Sequence, residues 1–221
     1  MTLLGFDTST AASTACVLRA DGEAFEVAPG ADRLAGPPAH AAELMPAIAG
    51  AMRRAGVSWD DLDGIAAGVG PGSFTGLRIG VATARALAAA RGLQVRPVSS
   101  LAALAAGIDG ELRLALIDAK RGELFAALHG PEGELWAPFA APPAAIAERV
   151  RDAGLSPLAA GDGSVRFREL LEQAGVRVAP NGSDAHVVRA LHVCRLAAGV
   201  EGEPAEALLP QYLRAPDAAP Q

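Results

Sequence analysis

Aromatic residues are scarce: Phe, Trp and Tyr make up 4% of the 221 residues, although 51% are hydrophobic. The core must therefore be filled by Ala, Val and Leu. Cysteine is nearly absent. Cys16 and Cys194 sit in apolar contexts and form no metal or redox spacing, which reads as two buried thiols in a reducing compartment. Basic runs are missing too. No Lys/Arg cluster exceeds two neighbours and the net charge is −6, which argues against autonomous nucleic-acid binding. No apolar run reaches the ~18 residues of a membrane span. The N-terminus lacks a basic region, and Asp7 interrupts its apolar run, so a soluble, cytoplasmic protein is expected. The length allows one large domain or two small ones.

Chemical constellations are equally sparse. His40, His129, His186 and His192 include no i,i+4 pair, and no second ligand lies near any of them in sequence. No Ser–His–acid or Cys–His set can be assembled from spacing. Ser164, in Gly161-Asp162-Gly163-Ser164, lacks the surround of a nucleophile elbow. No catalytic residue and no metal ligand is assigned.

What is present is the stretch 68–91, GVGPGSFTGLRIGVATARALAAAR. Gly68, Gly70 and Gly72 permit positive φ and close backbone approach, with Pro71 stiffening the turn. Ser73 is an N-cap candidate, so the loop delivers amide N–H groups at a helix start, an anion-friendly geometry. It is neither a Walker loop, since Leu77 follows Gly76, nor a dinucleotide fingerprint. A structural tight turn and an anion or partner site both remain open. In the helix that follows, Gly76, Gly80, Ala84 and Ala88 form one small stripe, and bulky residues flank it. A helix apolar nearly all round is buried on most sides. The segment 37–55 is similarly over-apolar; Pro46 either kinks it or marks a start near Leu44.

Strands are expected at 3–6, 13–18 and 23–27, with Asp21-Gly22 as a hairpin turn. Further strands fall at 65–69, 95–98, 112–118, 123–129, 157–160 and 176–178. Helices fall at 99–106, 142–150, 165–174 and 184–198, the last with Val187, Leu191, Cys194 and Ala198 on one face. The order strand, acid-ended turn, strand, turn, strand occurs twice, which implies internal duplication. Asp7 and Asp118 end the first strand of each half. Two acids opposed across a cleft could hold Mg²⁺–nucleotide; otherwise each caps its own turn. Arg78 and Arg121 are lone candidates for an anionic contact. The end, 217–221, is expected to be loose.

FDTST at 6–10, HAAELMPAI at 40–48, the block 68–88, LIDAKRGELF at 116–125 and PQYLR at 210–214 together resemble the TsaB (YeaZ) family, in order over essentially the whole chain. The resemblance implies an α/β, two-lobed, duplicated actin-like ATPase fold (ASKHA, ribonuclease H-like). The lobes would be 1–102 and 103–221, with the tail packing back on the first. It implies a non-catalytic subunit that stabilises the catalytic paralogue TsaD, with the ATPase TsaE as third member. The product would be the threonylcarbamoyl group on adenosine 37 of tRNAs reading ANN codons, and tRNA would be met only through the complex. Aligned on residues 70–88, the H-x-x-x-H metal pair of TsaD falls at Ser100 and Leu104, which cannot replace it. ATP and metal are thus expected on partner subunits, and no cofactor on this chain alone.

The same resemblance places helices 40–55 and 74–91 against their equivalents in TsaD. Leu44, Ile48, Met52, Phe74, Leu77, Val81 and Ala84 are expected near that interface, some instead facing the sheet. The 68–76 loop and Arg78 would line the shared surface, and Val81→Arg would abolish co-elution without unfolding the chain. In isolation the same surface can form a homodimer. Phe125 and Ala41 depart from the Tyr and Ser common in the family. The alternatives are a self-sufficient ATP-dependent phosphotransferase using Asp7 and Asp118, a peptidase, and a purely structural homodimer.

Overall fold

The computed structural model describes residues 1–213; Arg214 of the PQYLR motif and the 217–221 end lie outside the described residues. Two five-stranded sheets carry the fold. The first contains β1 (Leu3–Asp7), β2 (Thr14–Leu18), β3 (Ala24–Val27), β4 (Gly64–Gly70) and β5 (Gln94–Ser99), in the order β3-β2-β1-β4-β5. The second contains β6 (Arg113–Lys120), β7 (Glu123–Gly130), β8 (Gly133–Ala141), β9 (Leu158–Ala160) and β10 (Arg177–Val178), in the order β10-β9-β6-β7-β8. Read backwards, the second order repeats the first. In both sheets the first strand pairs antiparallel with the second and parallel with the fourth. The duplication is thus a fact of topology, and the α/β, two-lobed, actin-like architecture is the one the chain adopts.

Among the described residues, seven helices cover the sheets: α1 (His40–Ala55), α2 (Phe74–Arg91), α3 (Ser100–Ala106), α4 (Pro143–Asp152), α5 (Asp162–Arg166), α6 (Arg168–Gln173) and α7 (Ala190–Ala197). β1 and β4 are buried along their whole length, so helices must cover both faces of the first sheet. One face packs α1 and α2, through Leu4, Ile65, Leu44, Ile48, Val81 and Ala84. The other packs α3 and α7, and α3 also meets the second sheet. Leu3, Leu104, Ile117, Phe125 and Cys194 belong to that one continuous cluster. The expected lobe boundary at 102/103 therefore falls inside α3, a helix that serves both lobes. The far face of the second sheet is closed by α4 and α6.

α1 begins at His40 and runs through Pro46 without ending. Proline removes the bond to the Ala42 carbonyl, and both residues lie on the solvent side, where water replaces it. Two helices differ from expectation. The one expected over 165–174 is instead α5 and α6, broken at Phe167 (φ −114°, ψ 26°). The one expected over 184–198 is a 3-10 turn at Asp184–His186, an extended step at 187–189, and then α7. Val187 and Val188 are buried, and Thr14 Oγ1 donates to the Val188 carbonyl at 2.9 Å, which holds the step extended. α7 consequently buries Ala190, Val193, Cys194 and Ala197, while Ala198 is exposed.

After α7 the chain returns to the first lobe. Val95 and Glu203 exchange backbone hydrogen bonds, Leu208 is buried in the α1–α2 core, and the Gln211 N–H donates to the Val69 carbonyl at 2.7 Å. Among the described residues no helix is long and apolar enough to cross a membrane.

Candidate functional site

Asp7 ends β1 and is buried. Its carboxylate accepts from the Ser9 N–H at 2.7 Å, from Ser9 Oγ at 2.6 Å and from Ser100 Oγ at 2.6 Å. Gly68 makes room for it, since a Cβ there would stand 1.8 Å from Asp7 Oδ2. Burial pushes the carboxyl above the ordinary carboxylate value, against the opposing pull of the Ser100 and Ser9 hydrogen bonds. Asp7 thus pins β1, β4 and α3 together.

Asp118, on β6, lies in the cleft between the lobes. Its Oδ2 pairs with Lys120 Nζ at 3.0 Å and with Arg166 Nη1 at 2.7 Å, and its Oδ1 accepts from the Lys120 N–H. Burial works to raise this carboxyl, but the Lys120 and Arg166 contacts prevail and hold it below the ordinary value. Asp162 accepts from the Asp118 N–H at 3.0 Å and is pushed up by burial. Asp118, Lys120 and Asp162 line two cavities, of about 430 and 200 Å³, with Leu34 and Ala35 of the first lobe opposite.

A Mg²⁺ ion shared by the two acids, which the phosphotransferase alternative needs, does not fit these residues. Asp118 faces both cavities and Asp7 lines neither. A cation would have to compete with a Lys–Arg pair at the first and with three internal donors at the second. Ser100, where the TsaD alignment puts a metal-binding histidine, is spent on Asp7, and Leu104 fills the core between the sheets.

The glycine loop is likewise turned inward. Gly70 has φ +110°, and a Cβ on Gly72 would stand 2.4 Å from the Ser9 carbonyl. The Ser73 N–H donates to that carbonyl at 2.7 Å, and the Gly76 N–H donates to Ser73 Oγ, which caps α2 as expected. These are close-packing reasons for the glycines, and they take two of the amides an anion would use. His40 is buried beside this turn with Nδ1 on Ser13 Oγ; its Nε2 has no partner among the described residues and faces Gly76, and burial lowers its basicity.

Six of the seven residues expected near a partner, Leu44, Ile48, Met52, Leu77, Val81 and Ala84, are buried within the chain itself. Five of them belong to the cluster under α1 and α2. They face the sheet because the bulkiest positions of each helix fill the gap to β1 and β4. A guanidinium at position 81 would be buried there, so Val81→Arg tests folding rather than association. Phe74 is half-buried, and Arg78 is exposed. The outer face consists of Ala41, Ala42, Met45 and Ala49 on α1, and Thr75, Arg78, Ala82 and Ala86 on α2; of these, Arg78 is the one expected at the shared surface. Their one signal is spacing: Ala41, Met45 and Ala49 recur every four residues, as do Arg78, Ala82 and Ala86. Arg166 carries no local motif, and neither the 161–164 turn nor PQYLR shows that Asp162 reaches the cleft or Tyr212 reaches α2; folding brings them there.

The family model described as tRNA N6-adenosine threonylcarbamoyltransferase (TsaD) matches residues 37–141, the segment containing α1, α2 and α3. The chain is 34% identical over 144 residues to the tRNA threonylcarbamoyladenosine biosynthesis protein TsaB of Escherichia coli, covering 62% of this chain and 58% of that one. It is 35% identical over 129 residues to the protein of the same name from Haemophilus influenzae, covering 57% and 52%. The chain spans about half the length of the curated relatives it matches. YeaZ from Pseudomonas aeruginosa superimposes with a TM-score of 0.78 at 32% identity, over 96% of this chain and 99% of that chain. A full-length match at that identity, joined to the repeated sheet order and the inward-turned glycine loop, makes this chain a member of the TsaB/YeaZ family.

Proposed function

We propose that this chain acts in tRNA threonylcarbamoyladenosine biosynthesis as a non-catalytic subunit that binds and stabilises a TsaD-type threonylcarbamoyltransferase. TsaE-type ATPase and tRNA would be met through that complex, and ATP and metal would reside on the partners. The observation that carries the reading is the outer face of α1 and α2. It is exposed, built largely of alanines with Met45, Thr75 and Arg78 among them, and lies within the segment that matches the transferase family. A transferase of that family therefore has counterparts of both helices, and two such pairs can pack about a pseudo-two-fold axis. Small side chains let the helices approach closely, as ridge-into-groove packing requires. The closed state of Asp7 and the substitution of Ser100 and Leu104 at the metal positions support a supporting rather than a catalytic role.

The test is co-elution of the full chain with the transferase paralogue of its own genome. Ala49→Arg places a long cation on the exposed stripe of α1 and should abolish co-elution while leaving the melting temperature within about 2 °C, as surface substitutions do. Unchanged co-elution would remove the helix pair as the binding face. Turnover of Mg-ATP by the isolated chain would favour the phosphotransferase instead.

A further inference from the structure

The last described segment of the chain builds a second surface at the start of α2. Leu208 anchors it in the core and the Gln211 N–H fixes it to β4. From that anchor Leu209, Tyr212 and Leu213 are 62%, 38% and 40% exposed, a third of the large exposed apolar side chains among the described residues. The Tyr212 ring lies 5.1 Å from that of Phe74, and the Arg78 guanidinium stands 3.9 Å above the Phe74 ring, with Nε donating to Tyr212 Oη at 3.3 Å. Phe74 is thus in contact with a tyrosine and an arginine, and each fixes the other. Stacking of this kind orders both side chains before any partner arrives.

We infer that the Phe74–Arg78–Tyr212 stack, with Leu209 and Leu213, is the anchoring end of the partner surface, and that it takes an apolar pocket rimmed by a carboxylate. This rests on the reading of α1 and α2 as the binding face. Arg78 supplies the continuity, because it belongs both to the stack and to the exposed stripe Thr75–Arg78–Ala82. Whatever covers that stripe must meet the stack. The occupant is accordingly the transferase-type chain with its own helix pair, and not a separate ligand. Only Nε of Arg78 is bonded among the described residues, so its Nη groups point to a carboxylate acceptor. Tyrosine and arginine held rigid at a patch are the side chains that most often dominate binding energy.

Calorimetry of the full chain against the purified transferase paralogue tests this. Tyr212→Ala and Arg78→Gln should each weaken binding roughly tenfold or more. The loss from Arg78→Gln should shrink at high salt, where the ion pair is screened. Tyr212→Phe keeps the ring contact and should stay near the parent affinity. Leu213→Ser alters only an exposed side chain and reads the same surface without touching the stack, which covers the case in which Tyr212→Ala disturbs folding. If these variants bind like the parent while Ala49→Arg abolishes binding, the stack is not an anchor and the helix-face reading survives. If Ala49→Arg also binds like the parent, both fall. A patch that drives self-association of this chain while the transferase is refused overturns the inference as well.

Discussion

Asp7 shows how one position can look catalytic in sequence and be structural in the fold. An acid followed by three hydroxyl residues at the end of a first strand is the pattern of a phosphate or metal site. Here the hydroxyls of Ser9 and Ser100 are directed at Asp7 itself. Because burial raises its pKa from 3.8, the native state binds a proton more tightly than the unfolded chain. Stability from this group is fully present below 3.8 and is lost as pH rises through the raised value. Asp162, also raised by burial, acts with the same sign. Asp7→Asn should therefore lessen, but not abolish, the fall in urea-unfolding stability between about pH 4 and about pH 7. Identical pH slopes in parent and variant would show that Asp7 is not held as described.

Among the elements, α1 and α2 carried a clear helical period, and the bulky and small stripes were both visible. Periodicity alone does not say which stripe faces the sheet when both are apolar. On α1, Leu44 and Ile48 fill the space to the sheet and Ala41, Ala42 and Ala49 remain outside. On α2 the small stripe Gly76, Gly80, Ala84 and Ala88 itself turns inward with Val81, its two glycines lying against Thr8, and Ala82 and Ala86 remain outside. α7 illustrates the opposite case, where the start of a helix was hidden. Its first turn is capped from a distant strand, with Glu26 Oε1 accepting from the Leu191 N–H at 3.0 Å and Oε2 taking the Arg189 guanidinium. Nothing within 184–198 announces that contact. Glu26→Ala leaves Arg189 with only its Asp184 contact among the described residues and a helix-start amide unpaired, and should cost about 2 kcal/mol in urea unfolding. A loss below about 0.5 kcal/mol would mean the pair is no more than a surface contact.

For the whole molecule, the C-terminal return brings the end of the described chain back onto the first lobe. Ending the chain after residue 199 removes the Val95–Glu203 bonds and the buried Leu208. The truncated protein should lose about 2 kcal/mol or more and melt lower, as a fully buried leucine is worth that much. An unchanged melting temperature would show the tail to be an appendage. The strands, the hairpin at Asp21-Gly22, the helix after the glycine loop and the duplication were all determined by the sequence on its own, because alternation, turn chemistry and capping act over a few residues. Which face of each helix is left outside, where the acids point, and what meets the start of α2 were decided only in the tertiary structure. Those outcomes depend on residues such as Gly68, Ser100, Glu26 and Tyr212, which lie far along the chain from the groups they position.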